Sequence, residues 1–392
     1  MKKASILCVL IVFCIAACSD NPASPPVDEE EPASELPPSQ GTIVYDVLPP
    51  AGKLPWPHHP PDLNQAGYDQ LIDDLWVINN FGLYQQGSEK EDTYFHDGLD
   101  VVLPNGTRLF SLADGIVRST LFGAVTIEDQ DQPGYAWSYT HVNGLRVSVG
   151  SRVSKGGYIA DVNFQGLEHL HLSRIRLVEG GDWDDIFDWQ FLHVDSLFVY
   201  QDTQPPVIEA PFYYFENNTD TFFAVGAPTV VSGDVDVVIG ARDPGEFAHS
   251  KTSGFGDRLA LAHIEYEIAG DHIDPVSFKS IDFRHFPLQR RRPNILFDYE
   301  RVANVYKSYL TIHPEGLLNF DKFFSYYVIT NTAGMLDANG DNAPDKDYAW
   351  NTAATDEAGL PRFPNGLYTI TVTAYDALGN STTASDQVRV EN

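Results

Sequence analysis

The stretch EHLHLSRIRL, residues 168–177, decides how the N-terminal half is read. It has the length and composition of a β-strand. In an extended chain residues i and i+2 share a face, so His169 and His171 point the same way. Working outward, TRLFSLADGIVRST (107–120), GAVTIED (123–129), AWSYTHV (136–142) and RVSVGSRVSKGGYIADV (146–162) are strand-like too. Glycine or proline separates several of them. No long 3.6-residue period interrupts the series, so this half is predicted to be all-β. That argues against Rossmann and P-loop chemistry, and no GxGxxG or Walker-type run is present.

A second motif lies upstream. HDGLD, residues 96–100, puts a histidine and an aspartate four positions apart, ahead of Val101-Val102-Leu103 and the turn Pro104-Asn105-Gly106. Read as the start of a strand, it sets His96 and Asp100 on one face with Gly98 between them. SYTHV (138–142) adds His141 on a further strand. An isolated His-x-His is ordinarily a surface or packing pair. Three strands offering histidines, with an aspartate beside the first, point to zinc, which favours nitrogen and carboxylate oxygen. A catalytic zinc takes three protein ligands and keeps one position open. His96, Asp100 and one histidine of the HLH pair make such a set; spacing does not say which. No HExxH helix is present, which excludes the glutamate-base zincin mechanism.

The N-terminus speaks to compartment. Lys2 and Lys3 precede an apolar run from Ile6 to Ala17, too short for a stable membrane span and read as a secretory signal. Ile15-Ala16-Ala17-Cys18 resembles the lipobox of bacterial lipoproteins, which implies a lipid on Cys18 and a signal peptide of residues 1–17. Ser19 after the cysteine favours the outer membrane in some diderm bacteria. Cys8, Cys14 and Cys18 are the 3 cysteines, so the exported body has neither disulfide nor thiol nucleophile. Hydrolysis there must use a metal, hydroxyls or carboxylates. Residues 18–45, rich in proline, acid and serine, read as a semi-extended tether.

The formal charge of −30 becomes −32 once Lys2 and Lys3 leave with the signal, and no nucleic-acid partner is expected. QRRRP (289–293) reads as a solvated hairpin tip. A boundary is placed at QDTQPPVIEAP (201–211), giving one domain over 46–200 and another over 201–392. In LYTITVTAYDALGN (367–380), Tyr368, Ile370, Val372 and Ala374 alternate with polar neighbours, as in a half-buried strand. VDVVIGARD, AHIEYEIAGD and KFFSYYVIT add strands, and the whole resembles an immunoglobulin-like β-sandwich in architecture. This domain is expected to fold alone and to offer a surface for a protein partner. DANGDNAPDKD (337–347) spaces acids like part of a calcium loop without the closing glutamate, and reads as a solvated loop. GGDWDDIFDWQFLHV (180–194) suits packing between the domains better than a groove wall.

His96…Asp100, Tyr139-Thr140-His141 and His169-Leu170-His171, in that order, resemble the HxxxD, Tyr-x-His and HxH motifs of the lysostaphin/LytM-type zinc endopeptidases, peptidase family M23. LADGIVRS, VSVGSRVSKGGYIADV and the Phe-Gly of NNFGLY (79–84) match the family's scaffold, and the resemblance covers roughly residues 70–178. It implies an antiparallel β-sheet crossed by a groove, with His96, Asp100 and His171 as Zn2+ ligands. His141 and His169 would act on the water and the tetrahedral intermediate. It further implies a lipid-anchored envelope enzyme, outer-membrane or periplasm-facing, that cuts peptide stems or crossbridges of peptidoglycan. Departures are Leu172-Ser173 for the usual HLHFE ending, Gly123-Ala124 for Gly-Asn, and FQGLE before the HxH motif. The rival expectations are a catalytically silent M23-like scaffold that binds the wall or activates another hydrolase, and a surface adhesin acting through its sandwich.

Overall fold

Short runs of alternating apolar and polar residues make this an all-β chain. The computed structural model describes residues 54–58, 77–86, 93–121, 123–166, 168–198, 202–219, 221–244, 259–284, 287–289, 306–307, 325–332 and 348–392. They all fall in the unit Ala33–Asn392. Cys18, the signal and tether (1–45), residues 290–293 of the basic run and the acidic loop 337–347 lie outside the described residues. Among the described residues no helix is long and apolar enough to cross a membrane.

The N-terminal half contains β1 (Val77–Asn79), β2 (Tyr84–Gln86), β3 (Thr93–Phe95), β4 (Leu99–Val102), β5 (Arg108–Phe110), β6 (Gly115–Ser119) and β7 (Ala124–Asp129). It continues with β8 (Tyr135–Thr140), β9 (Val142–Asn143), β10 (Arg152–Val153), β11 (Tyr158–Val162), β12 (His169–Leu177) and β13 (Trp189–Leu192). The main sheet runs β1-β4-β12-β8-β7-β6-β10, with β13 also on β12. β5-β11-β9 form a smaller sheet, and β2 pairs with β3. Leu99 and Val101 of β4, Trp137 and Tyr139 of β8, and Leu170 and Leu172 of β12 enter one buried cluster with Val125 and Ile127 of β7. Each such burial contributes about 1.5–3 kcal/mol. The two-residue period of a strand therefore turns Asp100, His169 and His171 to the opposite face.

The C-terminal half is built from two sheets. One centres on Asp234–Arg242 and Ser325–Val328; the other runs Thr229–Val231, Ser381–Val390, Gly366–Tyr375, His263–Gly270, Ile273–Asp282. The alternation expected at 368–374 is present, with Tyr368, Ile370, Val372 and Ala374 all buried. Their side chains share a cluster with Val235, Val237 and Ile239 of the first sheet, so the sheets face each other as a sandwich.

That cluster does not stop at the expected boundary. Phe81, Phe95, Ala136, Ile175, Trp189 and Phe191 of the N-terminal half belong to it. β13 also pairs with Leu288–Gln289, setting Phe191 opposite Leu288. Trp183, Trp189 and Phe191 of 180–194 thus join a cluster shared by both halves. Ile175 lies on the same face of β12 as His169 and His171, because odd positions alternate with the core-facing Leu170 and Leu172. At Ile175 the face that carries the histidines therefore enters a buried cluster to which both halves contribute.

Candidate metal centre

Three adjacent strands position the site. β12 lies between β4 and β8, and the register sets His171 opposite Asp100 on one side and Thr140 on the other. His169 stands opposite Val102. His141 follows directly after β8 with φ 64°. That left-handed conformation is uncommon for a residue bearing a side chain. It is held by Asn163 N, which donates to the His141 carbonyl at 2.8 Å, and by Val142 N, which donates to Gly123 at 3.0 Å. The His141 ring centre lies 4.7 Å from that of His169 and 6.2 Å from that of His171.

His96 arrives by a bend, which corrects the expectation that it shares a strand face with Asp100. Four residues of strand span ~13 Å, yet His96 Nε2 lies 3.2 Å from Asp100 Oδ1. Residues 96–98 fall between β3 and β4 and carry no strand pairing. Gly98 lets this bend lie against β12. A Cβ there would meet the Leu172 carbonyl oxygen and Ser173 Oγ at 2.7 Å and His171 Nε2 at 2.8 Å.

His96 Nε2, Asp100 Oδ1 and His171 Nδ1 converge. The histidine nitrogens lie 3.1 Å apart, His96 to Asp100 is 3.2 Å, and His171 to Asp100 is 2.8 Å. Zinc with bonds of about 2.0–2.1 Å to nitrogen and oxygen, in tetrahedral geometry, separates its ligands by about 3.3 Å. The donor set fits it. Two groups among the described residues have metal-holding geometry, and the other is the all-carboxylate Asp202, Asp243 and Asp376. Only the first offers imidazole nitrogen.

The family model of peptidase family M23 matches residues 94–180, which contain all five motif residues. By this match the segment is M23-like. Among solved structures the chain is similar to the catalytic domain of lysostaphin from Staphylococcus simulans, at 21% identity over 28% of this chain and 85% of that one, TM-score 0.23. It is similar to LytU at 29% identity over 26% and 72% of the two chains, TM-score 0.22. A zinc-containing peptidase from Vibrio cholerae matches at 21% identity over 31% of this chain and 37% of that one, TM-score 0.23.

Each prospective ligand of the M23-like segment is held on its far side. His96 Nδ1 lies 3.0 Å from the Asn80 carbonyl, which takes its proton and leaves Nε2 as the donor atom. Asn79 Nδ2 donates to Asp100 Oδ2 at 2.7 Å. His171 Nε2 faces Ser173 Oγ at 3.0 Å and Asp97 Oδ1 at 3.2 Å. Burial works to raise the Asp100 pKa, but the adjoining His96 and His171 outweigh it and hold the carboxyl well below its usual range. Burial works to lower His171, and the Asp100 and Asp97 carboxylates push it up to about 9 instead.

The two remaining histidines flank this set. His169 Nε2 lies 3.8 Å from Asp100 Oδ2. Burial, and then the neighbouring His169, bring His141 down to about 4, so its ring is neutral at pH 7. Phe164 packs on both, with ring centres 4.2 Å from His141 and 4.6 Å from His169. Its backbone is clamped by Asn105, which accepts from Phe164 N at 2.8 Å and donates to its carbonyl at 3.0 Å. The structure thus brings together all five residues singled out from the motifs. Sequence reasoning missed Asn79, Asn80, Asp97 and Phe164. Asp97 was the most findable, as a carboxylate inside HDGLD.

Proposed function

We propose that this chain is a zinc-dependent endopeptidase that hydrolyses peptide bonds in the stems or crossbridges of peptidoglycan. The observation that carries the reading is the mutual 2.8–3.2 Å spacing of His96 Nε2, Asp100 Oδ1 and His171 Nδ1, with two further histidines beside them. Bound zinc supplies Lewis acidity that makes water a nucleophile at neutral pH and polarises a carbonyl. His141, neutral at pH 7, takes up the proton that the attacking water releases. His169 donates to the oxygen on which negative charge develops, an interaction typically worth ~10²–10³ in rate. Phe164 keeps bulk water from both rings. The choice of peptidoglycan rests on the match of residues 94–180 to peptidase family M23.

The same proposal places the protein at the bacterial envelope, held to a membrane by lipid on Cys18 with residues 19–45 as the tether. Its C-terminal half, immunoglobulin-like in architecture, shares a buried cluster with Ile175 on the histidine-bearing face. The deciding experiment is zinc content together with release of peptides from purified wall, using the chain from Cys18 onward. One zinc per chain with turnover supports the enzyme. Zinc without turnover favours the silent scaffold. Wall binding with neither identifies an adhesin. Cys18→Ser releasing the protein from the detergent phase supports the anchor, and unchanged partitioning overturns it.

A further inference from the structure

We infer that Asp97 is a positioning residue for the metal centre: its carboxylate orients His171 so that Nδ1 faces the ion. The inference rests on the zinc reading above and goes beyond it, because Asp97 belongs to none of the motif positions. Asp97 is 1% exposed, and its Oδ1 lies 3.2 Å from His171 Nε2. The opposite nitrogen of that ring, Nδ1, is the atom that meets Asp100 and His96. Imidazole carries its proton on one nitrogen or the other when neutral, and only the bare nitrogen binds metal. Ser173 Oγ, 3.0 Å from the same Nε2, can donate or accept and so does not decide which. An ionised carboxylate only accepts. It pins the proton to Nε2, leaves the Nδ1 lone pair toward Asp100, and makes the ring a stronger ligand.

Charge gives a second argument. Asp97 and Asp100 are both buried, 1% and 5% exposed, and both sit within 3.2 Å of the His171 ring. A buried charge is costly unless it is paired, and the His171 ring lies between the two carboxylates as the group they share. Asp97 meets that ring at Nε2, opposite the nitrogen that meets Asp100, and so supports His171 without joining the converging donors. Gly98 explains how it gets there: the absence of a Cβ lets the 96–98 bend lie against Leu172 and His171.

The test is Asp97→Asn, close to isosteric, in the otherwise complete chain. Zinc affinity is read by chelator competition and the visible spectrum with Co2+ in its place. Thermal midpoints of the metal-free proteins are compared alongside. A carboxylate partner of a metal-bound histidine typically contributes 10–100-fold in affinity. Asp97→Asn is therefore expected to bind zinc about 10–100-fold more weakly, with an altered Co2+ band and little change in the metal-free midpoint. Asp97→Glu, which keeps the carboxylate, is expected to fall between it and the wild type. Wild-type zinc affinity and an unchanged Co2+ band in Asp97→Asn overturn the inference and leave the zinc reading standing. A wild-type chain that binds no zinc overturns both.

Discussion

Phe283→Ala tests whether the second half of the chain supports the metal centre. Phe283 is 0% exposed, edge-on to Phe81 and Phe95 at ring distances of 6.4 and 5.4 Å. A Cβ on Gly82 would lie 2.8 Å from its ring, and Gly82 takes φ 81°, so Phe81-Gly82 is moulded to that ring. The same turn holds His96, the prospective metal ligand. Gly82 N donates to the His96 carbonyl at 2.8 Å, and His96 N donates to Leu83 at 2.8 Å. Next to it, the Asn80 side chain accepts from Ala260 N at 2.7 Å and donates to the Ala260 carbonyl at 2.9 Å. Truncating a buried phenylalanine costs about 3–5 kcal/mol. The two aromatic contacts, each about 0.5–1.5 kcal/mol beyond area, put this site at the upper end of that range. Loosening the residue-80 turn frees the Asn80 carbonyl that holds His96, so zinc affinity should drop by about tenfold, as for other partners of metal ligands. Urea denaturation followed by far-ultraviolet circular dichroism gives the first number and chelator competition the second. If Phe283→Ala costs under about 1 kcal/mol, or moves only a separate C-terminal transition while zinc affinity is untouched, the shared-core argument fails.

Gly98→Ala forces a methyl to within 2.7 Å of the Leu172 carbonyl, a backbone atom that cannot swing away. It should cost about 1–3 kcal/mol and much of the zinc affinity; wild-type values for both would show that the close approach is dispensable. His171→Ala should abolish zinc binding, whereas His141→Ala should keep zinc near one equivalent and lose ~10²–10⁴ in turnover of wall peptides. Metal loss in His141→Ala would show that it is a ligand. Asp195, 1% exposed, is pushed up to about 7 by burial, against the opposing hydrogen bonds from Phe81 N and Asn80. A carboxyl whose folded pKa is raised holds an extra proton in the native state between about pH 4 and 7. Its stabilising contribution is full below that window and is lost as pH rises through it, by about 4 kcal/mol. Asp195→Asn should flatten stability between pH 5 and 8; an unaltered pH dependence would refute the assignment.

Some of this was legible in the sequence because strands obey a period of two. Apolar Leu170 and Leu172 between His169, His171 and Ser173 already say that one face is core and the other is chemistry. The order of the three motifs, and the donors they carry, follow from residue identity alone. The alternation over 367–375 gave the half-buried strand of the second half for the same reason. An acceptor on the far side of an imidazole is different, since it depends on which backbone passes behind it. Asn80 serves His96 through its carbonyl, an atom every residue has, so no letter marks it.

Only the tertiary structure decided the rest. Strand geometry would keep His96 and Asp100 apart by the length of four extended residues; the break at 96–98 folds them to 3.2 Å, and what permits it is the lack of a Cβ at Gly98 beside β12. HxH spacing cannot rank its two histidines. The register that sets His171 opposite Asp100, with His169 two pairs further on and opposite Val102, distinguishes them. A proline-rich boundary near 201–211 suggests two separate cores. Residues far apart in the chain, Phe81 and Phe95 with Phe283, Phe191 with Leu288, bring part of the first half into the cluster of the second. Local pattern determines which way a side chain faces. What it faces is determined by long-range packing, because burial is a property of surfaces that meet only once the chain has folded.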